Sequence, residues 1–389
     1  MKSILVRAIT FIFSLPICYT AKAQNASFEI TYNGFTAEAE TAFEYATEIW
    51  SKFLISDVPI KISAHLQPLL PGQLGITFPN GELNFAGAPV NDVWYASCLA
   101  NAISGVDLSP DEVDMDIYLN SLASWYFGTD GNPGAAQYDF VSTALHEICH
   151  GLGFLSLGNK DGTSGSFGII PASAFAPLVT SFPWPELDTL PSVFDSYLEN
   201  AAGTKLRDIE NPSDVLGTSF ITNLVYFNSP IVLEDNTGER GRIYAPGTFT
   251  LGSSLSHWEE GAYPVGDPNE LMTPMAAPAT SNYKPGPLTL AVLDEIGWEI
   301  IYDTATIAVQ NLKREEIYFY PNPVNDILFV RSNTNYERAE IFNAEGKLIL
   351  IKDLHGGESE IQFDNFPAGY YLIKLIGDKN IITNKLLKE

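Results

Sequence analysis

The stretch His146–Phe154 (HEICHGLGF) constrains this chain more than any other feature. His146 and His150 are four residues apart, so on a helix they lie one turn apart on the same face, and both can reach one metal ion. Glu147 is displaced around the helix, where it can contact a water on that metal without binding the metal itself. This is the H-E-x-x-H arrangement of zinc hydrolases. The alternative is a chance match on a surface helix, which is disfavoured because the chain has only 5 histidines.

The acidic composition limits the classes of partner. The 389 residues carry a net charge of -26. Nucleic-acid phosphates and anionic membrane surfaces would both be repelled. We therefore expect no nucleic-acid partner. Strong acidity keeps an exported protein soluble, and we expect a monomer.

Residues 1–23 have the pattern of a secretory signal peptide. Lys2 and Arg7 precede an apolar run from Ala8 to Ile17, and Ala21–Ala23 has the small-x-small form of a cleavage site. A membrane anchor is the alternative, but the run is too short for one. Lipidation at Cys18 is disfavoured because the preceding Ile17 is bulky. We predict cleavage after Ala23.

Cleavage there would leave two cysteines, Cys98 and Cys149. An even number of cysteines in an exported protein is compatible with one disulfide. We predict a Cys98–Cys149 bond that braces the HEICH helix on the side away from the metal. Two buried free thiols are the alternative.

Hydrophobic patterning predicts an α+β region from 24 to 303, a linker at 304–316 and a separate module at 317–389. Period-2 alternation predicts strands and 3.6-residue periodicity predicts helices. The first region has predicted strands at 28–32, 58–65 and 114–119, and helices at 35–53, 138–151 and 287–296. Residues 159–252 are predicted to be irregular around one helix near 192–202. The last module has short strands at 327–330, 339–342, 348–351 and 370–373, which predict a small all-β sandwich.

A catalytic zinc needs three protein ligands and one open position, so a third ligand must be found. Gly153 can end the helix and turn the chain sharply. In the metzincin consensus H-E-x-x-H-x-x-G-x-x-H, which HEICHGLG resembles, a third histidine stands three residues after that glycine, and here this residue is Ser156. Serine is a poor zinc ligand, so the third ligand lies elsewhere.

Three residues downstream remain as candidates. Glu186 and Glu199 could act from a second helix, but neither has a clear metal-ligand spacing. His257 is the only other histidine before the end of the region.

Three motifs together resemble the leishmanolysin-type metzincins. HEICHGLGF is followed by a long insertion, then by Ser256–Glu260 (SHWEE) and Glu270–Pro274 (ELMTP). Pro287–Trp298 (PLTLAVLDEIGW) is similar to the end of that catalytic domain. The resemblance covers roughly residues 28–301. It implies a mixed twisted sheet with helices, a zinc cleft and an irregular C-terminal subdomain.

Carried over residue by residue, the resemblance implies a zinc-dependent endopeptidase. His146, His150 and His257 would bind one Zn2+, and Met272 would form the Met-turn beneath it. Glu147 would be the general base for a zinc-bound water that attacks the peptide bond.

The chain departs from that family in two respects. It leaves no room for an inhibitory propeptide before Phe28, so any latency is expected to arise in another way. It also has no tyrosine shortly after Met272 of the kind that some metzincins use. Met275 is a less favoured Met-turn residue. Because such enzymes hold substrate along a sheet edge, we predict that Asp114–Leu119 forms that edge.

The module at 317–389 resembles the C-terminal sorting domains of the type IX secretion system. Its opening, Tyr320–Val324 (YPNPV), is the most specific part, and Phe366–Leu375 and the terminal Lys385–Lys388 also fit. The resemblance implies export through the periplasm and outer membrane, contact with that secretion machinery, and a location at the cell surface or outside the cell. An adhesive or carbohydrate-binding sandwich is the alternative.

Other functions stay open at this point. A catalytically weak or inactive surface binding or adhesion protein could use the same scaffold, and a zinc hydrolase could act on a non-peptide bond. The sequence gives no support for calcium, since Asp130-Gly131 and Asp161-Gly162 are typical of loops.

Overall fold

The structure is a computed structural model that describes residues 24–178, 189–302, 317–332, 336–343, 347–354, 357–377 and 381–388. The chain divides into two compact units, 1–303 and 304–389. The predicted signal peptide and the linker at 304–316 lie outside the described residues. Among the residues described, no helix has the length and apolarity to span a membrane.

The described part of the first unit contains six α-helices. They are α1 (Ala37–Ser51), α2 (Ser97–Ser104), α3 (Phe140–Gly151), α4 (Asp214–Ser219), α5 (Pro230–Asp235) and α6 (Pro287–Ile296).

The same unit contains short strands, several of them only two or three residues long. They are β1 (Phe28–Asn33), β2 (Leu54–Ile55), β3 (Ile60–Gln67), β4 (Gly75–Pro79), β5 (Gly81–Leu83), β6 (Trp94–Ala96), β7 (Met115–Asn120), β8 (Trp125–Tyr126), β9 (Tyr138–Asp139), β10 (Gly158–Asp161), β11 (Ser164–Phe167), β12 (Leu198–Asn200), β13 (Val225–Phe227), β14 (Gly241–Ile243) and β15 (Glu299–Ile300).

A four-stranded mixed sheet carries the site. Its order is β1-β3-β7-β4, with β1, β3 and β7 parallel and β4 antiparallel to β7. The predicted edge strand was wrong: β7, which corresponds to residues 114–119, is paired on both sides. The edge strand that lines the cleft is β4, whose sequence GITFP does not show the strict alternation that marks a half-buried strand.

Helices α1 and α3 pack together against the sheet. Thr36 caps α1 and Asp139 caps α3, each through a side-chain oxygen that accepts a backbone N–H of the first turn. The buried Trp50 of α1 donates its indole N–H to the Leu145 carbonyl of α3 at 3.1 Å. This bond fixes α3 against the core and sets which of its faces is turned to the cleft.

The predicted disulfide is not formed. Cys98 in α2 and Cys149 in α3 are both free and buried. The Cys98 thiol instead donates to the Gly151 carbonyl at 3.3 Å. Burial raises the pKa of both thiols, which keeps them protonated and unreactive.

The segment that follows α3 is largely irregular, as its composition predicts, but the prediction of a helix at 192–202 was wrong. A 3-10 turn at Phe194–Tyr197 leads directly into β12. Strands β12, β13 and β14 form a small antiparallel sheet, and β10 and β11 form a hairpin.

The second unit is all-β in its described residues. Its strands are β16 (Ile317–Tyr320), β17 (Ile327–Ser332), β18 (Arg338–Asn343), β19 (Leu348–Asp353), β20 (Gly357–Gln362), β21 (Gly369–Ile376) and β22 (Ile381–Lys388). They form two antiparallel sheets, of order β16-β17-β20 and β19-β18-β21-β22. Side chains from both sheets, including Leu328 and Ile373, share one apolar core.

Candidate metal centre

Three histidines converge at one point of the first unit. His146 and His150 project from α3, and His257 comes from a loop more than a hundred residues later. The Nε2 atom of His146 lies 3.0 Å from that of His150 and 3.1 Å from that of His257, and the third separation is 3.3 Å. Across the described residues, these three form the one group of His, Cys, Asp or Glu able to hold a metal ion.

Each ring is oriented by a backbone carbonyl at its other nitrogen. Nδ1 of His146 bonds to the Leu271 carbonyl at 2.6 Å, and Nδ1 of His150 to the Phe154 carbonyl at 2.8 Å. Nδ1 of His257 bonds to the Ser253 carbonyl at 2.7 Å. A carbonyl oxygen only accepts, so each Nδ1 carries the proton.

The protonation state of the cluster follows from these bonds and from burial. Burial lowers the pKa of His146 to about 4 and that of His257 to about 3. The pKa of His150 is also lowered, by burial and then by the other two imidazoles. All three rings are therefore neutral at pH 7, and each directs an unprotonated Nε2 inward. Three such acceptors facing one another have no proton to share, which favours a cation between them.

Glu147 is buried beside this cluster, and two residues of β4 position it. The Thr77 hydroxyl donates to Oε2 at 2.6 Å. Gly75 leaves the space that the Glu147 side chain occupies: a Cβ at position 75 would lie 2.7 Å from Cδ and 2.8 Å from Cγ. Burial raises the pKa of Glu147 to about 8, and the Thr77 bond opposes that rise.

A 3-10 turn at Glu270–Met272 connects two of the histidines. Leu271 supplies the carbonyl that orients His146, and the Met272 carbonyl accepts the N–H of Trp258, the residue after His257, at 2.8 Å. Met272 is fully buried, whereas Met275 is 65% exposed. The position of Met272 is compatible with the predicted Met-turn, and that role stays a prediction.

The other candidate ligands lie away from the cluster. Glu199 forms an ion pair with Arg240 at 2.5 Å, and Glu186 lies outside the described residues. His65 on β3 stacks on Tyr118 with ring centroids 4.5 Å apart. The Asp130 and Asp161 turns belong to none of the metal-ligand groups found among the described residues.

The cluster lies in a cleft of about 740 Å³. Its lining includes residues 70–79, which contain the whole of β4, together with residues 270–271 and 273–277. The sequence analysis missed Gly75, Thr77 and the three orienting carbonyls. A carbonyl has no sequence signature. Thr77 and Gly75 were missed because β4 itself was not predicted.

Comparison with known proteins identifies the C-terminal unit. Residues 318–389 match the family model described as the secretion system C-terminal sorting domain. The second unit is a type IX secretion sorting domain. This confirms the predicted sorting domain, and it makes the chain a substrate of that secretion system, exported to the cell surface or beyond.

The other comparisons say less about the first unit. Residues 104–169, which include α3, match a model described as SPBPB7E8-like, a description that names no activity. No curated protein matches the chain. One similar solved structure is PorZ of Porphyromonas gingivalis, described as an essential bacterial surface component of the type-IX secretion system. It is 12% identical over 24% of this chain and 14% of that chain, and its TM-score of 0.17 is too low to carry an argument.

Proposed function

We propose that the first unit is a zinc-dependent endopeptidase of the metzincin type, delivered outside the cell by its sorting domain. The observation that carries this proposal is the convergence of three neutral imidazole Nε2 atoms beside a buried carboxyl group.

The geometry of the cluster fits zinc. Two ligands at about 2.0–2.1 Å from a tetrahedral ion are about 3.3 Å apart. The three measured Nε2–Nε2 separations run from 3.0 to 3.3 Å. Three histidines leave a fourth position open, which is the pattern of catalytic rather than structural zinc sites. Each ring also has the second-shell hydrogen bond at Nδ1 that zinc-binding histidines usually make.

In the proposed reaction Glu147 is the general base. Zinc bound here would lower the pKa of a water molecule and polarise the scissile carbonyl. Glu147 would take a proton from the attacking water and later deliver it to the departing amine. The Thr77 hydroxyl holds Oε2, which restricts the carboxyl group to one orientation.

Strand β4 supports a peptide substrate rather than a small molecule. It is an outer strand of its sheet, and all five of its residues line the cleft. Because β4 is an outer strand, an extended peptide could add beside it as a further strand. Such binding places the peptide backbone along the wall from which Gly75 and Thr77 position Glu147.

The decisive experiment compares the purified full chain with Glu147→Ala. Digests of a mixed peptide library are read by mass spectrometry, with and without a chelator, and zinc is measured by metal analysis. We expect the wild type to cut peptides only while zinc is bound. Glu147→Ala should retain zinc and lose cleavage by at least about a hundredfold. Equal cleavage by both proteins, or wild-type cleavage that survives zinc removal, would refute the proposal.

A further inference from the structure

We propose that Asp195 is a positioning residue of the metal centre, which holds together the two loops that orient His150 and His257. This inference rests on the zinc site of the proposed function and specifies what fixes its geometry. Asp195 lies in the 3-10 turn at Phe194–Tyr197, within the long insertion, and it is fully buried. Burying a carboxyl group costs free energy unless the group is hydrogen-bonded, so the partners of Asp195 indicate what it stabilises.

Asp195 holds the loop that follows α3 by its backbone. Its Oδ2 accepts the N–H of Leu157 at 2.9 Å and the N–H of Ser192 at 2.9 Å. The Ser192 hydroxyl lies 2.9 Å from the same Oδ2 and 2.8 Å from the Leu155 carbonyl, so it can donate to either acceptor. The turn that carries Asp195 is therefore bonded to this loop at two points.

The residue that orients His150 stands at the start of the same loop. The Phe154 carbonyl bonds to Nδ1 of His150 at 2.8 Å. The Phe154 ring packs between two others, with its centroid 4.8 Å from that of Phe194 and 5.2 Å from that of Trp258. All three rings are fully buried. The bonds of Asp195 and the neighbouring Phe194 ring thus fix the backbone at Phe154, and the backbone fixes the imidazole.

The loop also reaches the third histidine. Ser156 donates its N–H to the Ser256 hydroxyl at 3.1 Å, and Ser256 immediately precedes His257. The carbonyl that orients the His257 ring, at 2.7 Å, belongs to Ser253 of the same segment. A shift of the loop after α3 would therefore be transmitted to His257, so Asp195 acts on two of the three ligands.

His146 stands outside this set of contacts. Its ring is oriented by the Leu271 carbonyl, at 2.6 Å, from the 3-10 turn at Glu270–Met272. Loss of the Asp195 carboxylate should consequently disturb two imidazoles and leave the third in place. We expect a weaker and distorted metal site rather than an abolished one.

The test compares the zinc affinity of Asp195→Ala with that of a matched variant, Asp114→Ala, in the purified full chain at neutral pH. Asp114 is also a buried aspartate of the first unit, but it bonds to the Lys61 N–H and the Asn101 side chain, outside the described lining of the cleft. Affinity is measured by competition with a chromogenic chelator. Asp195→Ala should bind zinc about tenfold more weakly than the wild type, and Asp114→Ala should bind it equally tightly.

Cobalt(II) in place of zinc gives a second measurement, because its visible absorption depends on the arrangement of its ligands. The spectrum should change in Asp195→Ala and stay as in the wild type in Asp114→Ala. Asp195→Asn keeps an oxygen that can accept the Leu157 N–H, and it should restore both the affinity and the spectrum. A role in stability alone would weaken folding in both alanine variants and alter neither measurement.

Ser192→Ala decides the question if Asp195→Ala does not fold, as judged by circular dichroism. It removes only the hydroxyl that lies between Asp195 and the Leu155 carbonyl. Its zinc affinity should fall below that of the wild type, because one of the two links to the loop is lost. An affinity equal to that of the wild type would refute the positioning role.

The outcomes separate this inference from the proposed function. If the wild type binds no zinc, the metal centre fails and the role of Asp195 falls with it. If the wild type binds zinc but Asp195→Ala has the same affinity and the same cobalt spectrum, the positioning role is refuted while the zinc site stands. If the expected changes occur in a protein that cuts no peptide, the role of Asp195 stands and the peptidase is refuted.

Discussion

The backbone N–H of Ser156 donates to the hydroxyl of Ser256 at 3.1 Å, although the two residues are 100 positions apart. Ser156 occupies the place where a short loop after Gly153 would carry a third histidine, and Ser256 immediately precedes His257. The chain therefore leaves the end of α3, passes through a long insertion and returns to the same point. The insertion therefore separates His257 from α3 by about a hundred residues in the sequence, while the two ends of the insertion meet in space.

His257→Ala should sharply reduce zinc binding, because it removes one of three converging imidazoles. After dialysis against trace chelator, metal analysis should find zinc well below one equivalent, against about one in the wild type. His65→Ala is the matched control, since His65 stacks on Tyr118 outside the cluster. An unchanged zinc content in His257→Ala would place the third ligand elsewhere.

Gly75→Ala should reduce peptide hydrolysis by about tenfold or more, because the added Cβ would clash with the side chain of Glu147. Zinc content should not change, since the heavy atoms nearest to that Cβ belong to Glu147 and not to a histidine. The control is Gly247→Ala, an exposed glycine with open space at its Cβ and no positive φ. Equal rates of peptide hydrolysis for the two variants would show that Gly75 does not determine the position of the Glu147 side chain.

Asp195→Asn should change how stability depends on pH. Asp195 is fully buried, its Oδ1 lacks a hydrogen-bond partner, and burial raises its pKa to about 6. The pKa of Asp195 is higher in the folded protein than in the unfolded chain. Its contribution to the free energy of unfolding is therefore complete below about pH 4 and is lost as the pH rises through 6. The variant should therefore gain stability relative to the wild type between pH 4 and 7, by on the order of a few kcal/mol.

Urea unfolding followed by tryptophan fluorescence measures this difference. All six tryptophans stand before residue 303, so the signal reports on the first unit alone. The buried histidines have lowered pKa values, so they make stability rise with pH. Their effect is the same in the variant and the wild type, and it cancels when the two free energies of unfolding are subtracted. A stability difference that stays constant across this pH range would contradict the prediction.

Deletion of residues 317–389 should stop secretion in a bacterium that has the type IX system. The truncated protein should accumulate in the periplasm, detected by fractionation and immunoblotting, while the full chain reaches the cell surface or the medium. Since the units are separately compact, the periplasmic protein should still bind zinc. Normal secretion of the truncated protein would contradict the role of the sorting domain.

The sequence predicted best those elements that are long enough to show their periodicity or that have strong signals at their ends. Helix α6 has the predicted bounds, Pro287–Ile296, because proline can begin a helix and Gly297 ends it. Strand β4 was missed because five residues with a proline and a glycine show little periodicity. The helix expected at 192–202 failed because Asp195 and Ser192 bond to each other and to nearby backbone groups, which favours a tight turn.

Each of the three histidine Nδ1 atoms bonds to a main-chain carbonyl rather than to a side chain, and this determines which mutations the site tolerates. Substitutions at Phe154, Ser253 or Leu271 replace a side chain but leave the carbonyl in place, so no single exchange there deletes an orienting acceptor. Ring orientation is instead vulnerable to altered loop length. Redesign of these loops must therefore keep the number of residues and the path of the backbone, and it must also keep Phe154 and Leu271 apolar, because both are buried in the core.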